Sequence, residues 1–87
     1  MFEELIGQVV VVDLSSPYVC LGTLERADEL HMELRNADWH DLRDTDTTRE
    51  NYVAAARATG IRRNRRRVLV VRSEVVAISR LDDVVDV

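Results

Sequence analysis

Residues 8–27 read QVVVVDLSSPYVCLGTLERA and predict the first two strands of a small sheet. The run of valines is rich in β-branched side chains and ends at SSP, a sequence typical of turns. A second apolar run follows directly and carries Gly22 at its middle, where an interior glycine marks a tight bend or a close backbone approach. We therefore expect a hairpin of strands 8–14 and 18–27 with a strong bend at Gly22.

The segments on either side complete a five-stranded pattern. Apolar residues at positions 2, 5 and 6 predict a short N-terminal helical turn. Alternation of apolar and polar residues from position 30 predicts a third strand that continues to about Ala37. Two valine-rich runs near the C-terminus, RVLVVR and EVVAISR, predict a fourth strand at 67–72 and a fifth at 74–80.

A polar insertion at about 38–66 separates the third and fourth strands, and it contains a predicted helix. Thr47 and Glu50 fit a capping box, in which the threonine hydroxyl accepts from the backbone while the glutamate reaches back. Alanines follow, and Gly60 is a typical helix terminator, so we expect a helix at 48–59. Its apolar face is thin and is formed by Tyr52, Ala55, Ala56 and Thr59. We expect this helix to stand outside the sheet.

Length and composition predict one small domain that covers residues 1–87. The chain has 87 residues, of which 46% are hydrophobic and 32% are charged. The valine run is far shorter than the roughly 20 residues that cross a bilayer, and the N-terminus lacks the positive flank of a signal peptide. The single cysteine, Cys20, excludes an intramolecular disulfide and is predicted to be a small buried apolar side chain. We therefore expect a cytoplasmic protein with no membrane partner.

Charge is unevenly distributed along the chain. The formal net charge is −4, and all 12 basic residues are arginine. Residues 1–60 carry 12 acidic residues and 5 arginines, whereas residues 61–87 carry 4 acidic residues and 7 arginines. This segregation permits contact with nucleic acid through one basic surface of an otherwise acidic protein.

The order of these elements resembles the Sm and Sm-like (LSm) proteins over nearly the whole chain. The first motif of that family is similar to GTL at 22–24, Asp28 and the strand at 30–37. The second motif, Ile-Arg-Gly-(Asp/Asn)-Val-Val, is similar to VRSEVV at 71–76. The resemblance implies a mainly β fold, namely a five-stranded, strongly bent antiparallel small barrel with an N-terminal helical turn.

The resemblance also implies a ring, in which the fourth strand of one subunit pairs with the fifth strand of its neighbour. The sequence supports this expectation independently. Both strands are apolar, free of proline and almost uncharged inside, so an unpaired edge would be prone to aggregation. A head-to-tail contact that repeats by rotation closes into a ring, and we expect a homo-oligomer of roughly five or more subunits.

RNA-binding members of the family hold a base between side chains before the third strand and an arginine of the second motif. Arg72 matches that arginine, and a guanidinium can stack on a base while it contacts phosphate. Glu74 matches an acidic or amide position that can bind a base or hold the arginine. Alignment on the inward residues of the third strand puts His31 at the position of the asparagine that reads uracil. The alternative is that His31 is a solvated outward residue.

An arginine-rich arm at the end of the insertion provides a second predicted contact with RNA. It contains Arg62, Arg63, Arg65, Arg66 and Arg67. In a ring these arms would repeat around one face or pore and give salt-dependent binding of phosphates. The alternative is a solvated loop whose arginines pair with the acidic residues of the insertion, Asp38, Asp41, Asp44 and Asp46.

No metal, cofactor or catalytic site is predicted. His40 lies among these acidic residues, but their spacing is not that of a calcium loop. No nucleophile, base and orienting residue can be assembled, and no glycine-rich phosphate loop is present, so we do not expect an enzyme.

We expect a ring that binds single-stranded RNA, with a preference for uridine-rich sequence as one option. A ring of the same fold that serves as a protein-assembly scaffold is the alternative. In that case the insertion helix, through Tyr52, and Trp39 would contact a protein partner.

Overall fold

The computed structural model describes residues 2–85, which form five strands, one α-helix and four 3-10 turns. The strands are β1 (Val9–Leu14), β2 (Tyr18–Ala27), β3 (His31–Asp41), β4 (Arg65–Val71) and β5 (Val75–Arg80). The helix α1 is Arg49–Thr59, and the 3-10 turns are Phe2–Leu5, Leu42–Asp44, Arg72–Glu74 and Leu81–Asp83. None of the described helices is long and apolar enough to cross a membrane.

All five strands belong to one antiparallel sheet with the order β4-β3-β2-β1-β5. The expected mainly β, five-stranded architecture is confirmed. The closed barrel is not formed, because β4 pairs only with β3 and β5 pairs only with β1 in residues 2–85. The chain passes from β4 to β5 through the turn Arg72–Glu74. Both outer strands therefore keep one edge without a hydrogen-bonded neighbour among the described residues.

A close approach between β2 and β3 explains the glycine in the middle of β2. The pairing shifts by one residue on β3 between Leu21 and Thr23 of β2. The extra residue lies opposite Gly22, where Asn36 has a left-handed φ of 50°. A Cβ on residue 22 would lie 2.9 Å from the Cβ of Ala37, closer than real Cβ contacts allow. The predicted bend at Gly22 is confirmed as a bulge that only glycine fits.

One face of the sheet forms the main hydrophobic core. Its fully buried members include Val10 and Val12 of β1, Leu24 of β2 and Leu34 of β3. Cys20 belongs to the same cluster, as predicted, and burial raises the pKa of its thiol to about 12. The neutral thiol therefore packs as an apolar group.

The opposite face of the sheet is covered by α1. Val53 and Ala56 of the helix are 5% and 8% exposed and pack in one cluster with Val11 and Leu21. The helix lies outside the curled sheet and is packed against its outer face, so it contributes to the core. Alternate valines of β1 point to opposite faces, and both faces are covered. Val10, Val11 and Val12 are all apolar for this reason.

The strands that flank the insertion are longer than expected. β3 continues to Asp41, and β4 begins at Arg65. Asn64 extends the pairing because its side chain imitates a backbone unit. The Trp39 amide donates to Asn64 Oδ1 at 2.9 Å, and Asn64 Nδ2 donates to the Trp39 carbonyl at 3.1 Å. The insertion is consequently shorter at both ends than the predicted 38–66.

The helix boundaries agree with the prediction, but the capping residue differs by one. Thr48 is the N-cap, and its hydroxyl accepts from the Asn51 amide at 3.1 Å. At the other end Gly60 has a φ of 99° and donates to the Ala56 carbonyl at 2.8 Å. Gly60 therefore terminates the helix as expected.

Replacing Gly22 with alanine should destabilise the protein by about 1 to 3 kcal/mol, because the new methyl group would overlap Ala37. The double variant Gly22→Ala/Ala37→Gly removes one of the two clashing methyl groups and should recover part of the loss. Urea unfolding followed by circular dichroism gives the three free energies. A stable Gly22→Ala variant would contradict the proposed reason for this glycine.

Replacing Val53 with alanine should destabilise the protein by about 1 to 3 kcal/mol, since two buried methyl groups are lost from the helix–sheet contact. Arg57→Ala is the matched control, because Arg57 is exposed on the same helix. Its unfolding free energy should change by no more than about 0.5 kcal/mol. Equal stability of the two variants in urea would mean that the helix does not contribute to the core.

Candidate nucleic-acid interface

The turn between β2 and β3 is built around Asp28. Its Oδ1 accepts from the amides of Leu30 and His31, both at 2.8 Å. The hydrogen bond from the His31 amide, followed by that from Leu30, lowers the pKa of Asp28 below its ordinary value. The carboxylate stays ionised and holds the turn in one conformation, with the His31 side chain exposed at the start of β3.

Arg72 is attached to the same turn by its backbone and its side chain. The Arg72 amide donates to the Leu30 carbonyl at 2.8 Å, and Nη1 donates to the Asp28 carbonyl. The guanidinium carbon lies 4.3 Å from the centre of the Phe2 ring, which is a cation–π geometry. Arg72 is thus held at the turn that carries His31.

Two shallow depressions flank this turn. One of about 370 Å³ is lined by Phe2, Glu3, Ile6, Ala27 and Arg72. The other, of about 310 Å³, is lined by Arg26, Ala27, Asp28, His31, Glu33 and Leu69. The two depressions share Ala27, so Arg72 and His31 stand on neighbouring surfaces. Phe2 is the aromatic residue of this site that sequence reasoning missed, because it was assigned only to the N-terminal turn.

Glu74 lies at the other end of the three-residue turn and has different partners. Ser15 Oγ donates to Glu74 Oε1 at 3.1 Å, and the Ser15 amide donates to the Glu74 carbonyl at 2.9 Å. Glu74 lines neither of the two depressions. The structure therefore does not bring Glu74 to Arg72 and His31, and its contacts fasten β5 to the turn between β1 and β2.

The arginine-rich arm is exposed along its whole length. Arg62 and Arg63 precede β4, and Arg65, Arg66 and Arg67 form its first three residues. Arg67 pairs with Glu33 at 3.6 Å, and Arg65 donates to the Asn64 carbonyl at 3.1 Å. In residues 2–85 the remaining arginines of the arm form no ion pair.

Two of the four acidic residues of the insertion, Asp38 and Asp41, are engaged elsewhere. Asp38 is 5% exposed and accepts from the Tyr52 hydroxyl and from Asn64 Nδ2. Asp41 pairs with Arg43 at 2.8 Å, and that bond lowers the pKa of Asp41 to about 2. Asp38 and Asp41 therefore do not form ion pairs with the arginines of the arm. The arm keeps a local excess of positive charge.

Trp39 and His40 stack on tyrosines of the same chain. The Trp39 and Tyr18 rings are 5.1 Å apart, and the His40 and Tyr52 rings are 4.0 Å apart and nearly parallel. Trp39 also packs against the main core, so it covers the edge of that core. Among the described residues, no group of three or more His, Cys, Asp or Glu side chains is placed to hold a metal ion.

Apolar side chains remain exposed on both outer strands. Leu69 and Val71 of β4 are 58% and 50% exposed, and Val76 of β5 is 70% exposed. These residues lie on the two strands whose outer edges have no hydrogen-bonded neighbour in residues 2–85. Such edges favour pairing with another chain.

Comparison with known proteins adds no further assignment. No protein-family model matches the chain, and no curated protein matches it significantly. A functional proposal for this protein therefore depends on the geometry of its own residues.

Proposed function

We propose that this protein is an Sm-like subunit of a cytoplasmic homo-oligomeric ring that binds single-stranded RNA. The position of Arg72 carries the proposal. Its backbone and guanidinium are fixed to the turn that presents His31, so a planar cation and an exposed imidazole lie on neighbouring surfaces of one turn. Fixed geometry reduces the entropy that a binding site loses when a base is captured.

A base at this turn can interact with the Arg72 guanidinium and with the His31 imidazole. The Arg72 guanidinium lies over the Phe2 ring and donates through Nη1 to the turn, and its other N–H groups can bind phosphate or base oxygens. The imidazole of His31 can stack on a base or hydrogen-bond to its edge. Uridine preference would come from such edge contacts, because stacking alone accepts every base.

The arginine-rich arm supports a second, sequence-independent contact. Arg62, Arg63 and Arg66 have exposed guanidinium groups without carboxylate partners in the described chain. Guanidinium groups of this kind bind phosphate oxygens and release counterions, so their contribution falls as salt increases. A ring would multiply the contribution by the number of its subunits.

The free edges of β4 and β5 support the ring itself. One protein presents both edges, so a head-to-tail contact between copies can repeat until the rotation closes. The exposed apolar residues Leu69, Val71 and Val76 would then be covered by the neighbouring subunit. The scaffold alternative has less support, because Tyr52 and Trp39 are already engaged with Asp38 and Tyr18 in the same chain.

Charged substitutions on the outer strands should separate the subunits. We expect the unmodified protein to contain roughly five or more chains at micromolar concentration, as measured by light scattering after gel filtration. Leu69→Glu or Val76→Glu places a charge in the proposed contact and should give a monomer. Leu30→Glu is the control, since Leu30 is 69% exposed but lies in the turn before β3. A monomeric unmodified protein would refute the ring.

Two sets of arginine variants should separate base binding from phosphate binding. Arg72→Ala should weaken oligo-U binding by about 1 to 3 kcal/mol per occupied site and reduce any difference between oligo-U and oligo-A. Arg72→Lys keeps the charge but loses the planar guanidinium, so it should recover only the salt-dependent part. Replacing Arg65, Arg66 and Arg67 with alanine should weaken both oligomers equally and lower the salt slope by about 2 per chain.

Fluorescence anisotropy at two salt concentrations measures both effects. Arg57→Ala, on the exposed side of α1, is the control for general loss of positive charge. Circular dichroism checks that Arg72→Ala retains its fold, since Arg72 also holds the turn. Absence of binding by the unmodified protein at low salt would contradict the RNA proposal.

A further inference from the structure

A cluster of three charged side chains joins the neighbouring strands β2, β3 and β4. Arg26 and Glu33 lie directly opposite each other in the pairing of β2 with β3. Glu33 lies opposite Leu69 of β4, two positions from Arg67, so the three charged side chains extend from one face of the sheet. The Arg26 guanidinium lies 3.1 Å from Glu33 Oε1, and the Arg67 guanidinium lies 3.6 Å from Oε2. One carboxylate therefore holds two guanidinium groups side by side.

The cluster differs in charge balance from the other ion pairs of residues 2–85. In those pairs each arginine has a carboxylate of its own, and the arginines concerned are Arg35, Arg43, Arg49 and Arg80. Arg26 and Arg67 share a single carboxylate, so two positive charges and one negative charge leave the cluster with a net positive charge.

The two arginines of the cluster face solvent, whereas the carboxylate is shielded. The side chains of Arg26 and Arg67 are 78% and 67% exposed, and that of Glu33 is 7% exposed. An approaching anion therefore meets guanidinium N–H groups before it meets the carboxylate. Each guanidinium carries several N–H donors in a fixed fork, so donors remain for a second acceptor after the contact with Glu33 is made.

The cluster lies between the two proposed RNA contacts. Arg26 and Glu33 line the same depression of about 310 Å³ as His31. Arg67 is the last residue of the arginine-rich arm and belongs to β4. The cluster therefore connects the turn that carries His31 with the arm.

We infer that Arg26 and Arg67, held by Glu33, bind a phosphodiester group of single-stranded RNA. The inference rests on the proposed RNA binding and extends it, because it adds Arg26 as a contact and gives Glu33 the role of holding the two guanidinium groups. A phosphodiester carries one negative charge on two free oxygens, which suits paired guanidinium groups with one uncompensated positive charge. An RNA chain with a base at His31 would continue its backbone across the cluster towards the arm.

Arg26→Gln tests the site because the amide removes the charge but keeps a donor to Glu33. Fluorescence anisotropy of the full chain with oligo-U and oligo-A, over a series of salt concentrations, gives the affinity and the salt slope. We expect both oligomers to bind about three- to tenfold more weakly at low salt, with a salt slope lower by about 0.7 per chain. The two losses should be equal, since a phosphate contact does not read bases.

Two further variants separate the charge from its surroundings. Arg26→Lys keeps a positive charge and should retain the salt slope of the unmodified protein. Arg57→Gln removes an exposed arginine from α1, outside the cluster, and should change neither the affinity nor the slope. Circular dichroism checks the fold of each variant, and Arg67→Gln replaces Arg26→Gln if that variant unfolds.

Glu33→Gln tests the carboxylate. The amide oxygen still accepts from one arginine, but the cluster gains a second uncompensated positive charge. Both oligomers should therefore bind severalfold more tightly at low salt, with a steeper salt slope. Glu50→Gln changes the net charge by the same amount at an exposed position of α1 and should leave the affinity unchanged.

Three results would overturn the inference in a protein that binds RNA. They are unchanged affinity in both Arg26→Gln and Arg67→Gln, a loss confined to one of the two oligomers, and Glu33→Gln that binds no more tightly than Glu50→Gln. If Arg72→Ala weakens RNA binding in the same protein, the proposed function is retained and only this site is lost. Absence of RNA binding by the unmodified protein would contradict both proposals.

Discussion

The close packing of Gly22 against Ala37 controls how far the sheet can curl, and the position of the candidate RNA site follows from that curl. β4 and β5 lie at opposite edges of a five-stranded sheet, which would be about 19 Å apart if the sheet were flat. The chain passes from Val71 to Val75 in four steps, which reach at most about 14 Å. The sheet must therefore be strongly bent, although no hydrogen bonds join its edges. The connecting turn crosses one end of the sheet, where Arg72 hydrogen-bonds to the turn before β3.

A curled sheet buries one face within itself, but its outer face needs another cover. The helix α1 supplies that cover with Val53 and Ala56, two small side chains on a surface of valine and leucine. Alanine leaves space that a larger residue would fill, and the cavity beside Tyr52 occupies this space. The modest size of the helix face thus explains both why the outer core is thin and why a pocket opens next to it.

Local signals predicted much of the fold, whereas contacts between distant residues were missed. The strands, the bend at Gly22 and the helix end at Gly60 each depend on residue types within a few positions, and all three were predicted. Asn64 extends β3 through its side chain, and no property of a lone asparagine in an arginine-rich segment indicates this. The cation–π contact of Arg72 with Phe2 joins residues that are far apart in the sequence, and it was not predicted either. Family resemblance suggested Glu74 for the base site, but its bonds to Ser15 depend on three-dimensional position.

The partners of the carboxylates show that the local charge around the arginine-rich arm differs from the net charge of the protein. A net charge of −4 would ordinarily disfavour contact with phosphates. Several of the acids, however, already pair with arginines within the chain, including Glu25, Glu33 and Asp41. A carboxylate paired with a neighbouring arginine projects little field beyond its partner, since the opposite charges lie within a few ångströms. The exposed arginines before and within β4 have fewer such partners. The surface around them is therefore basic while the protein as a whole is acidic, and this local imbalance is what a phosphate group would encounter.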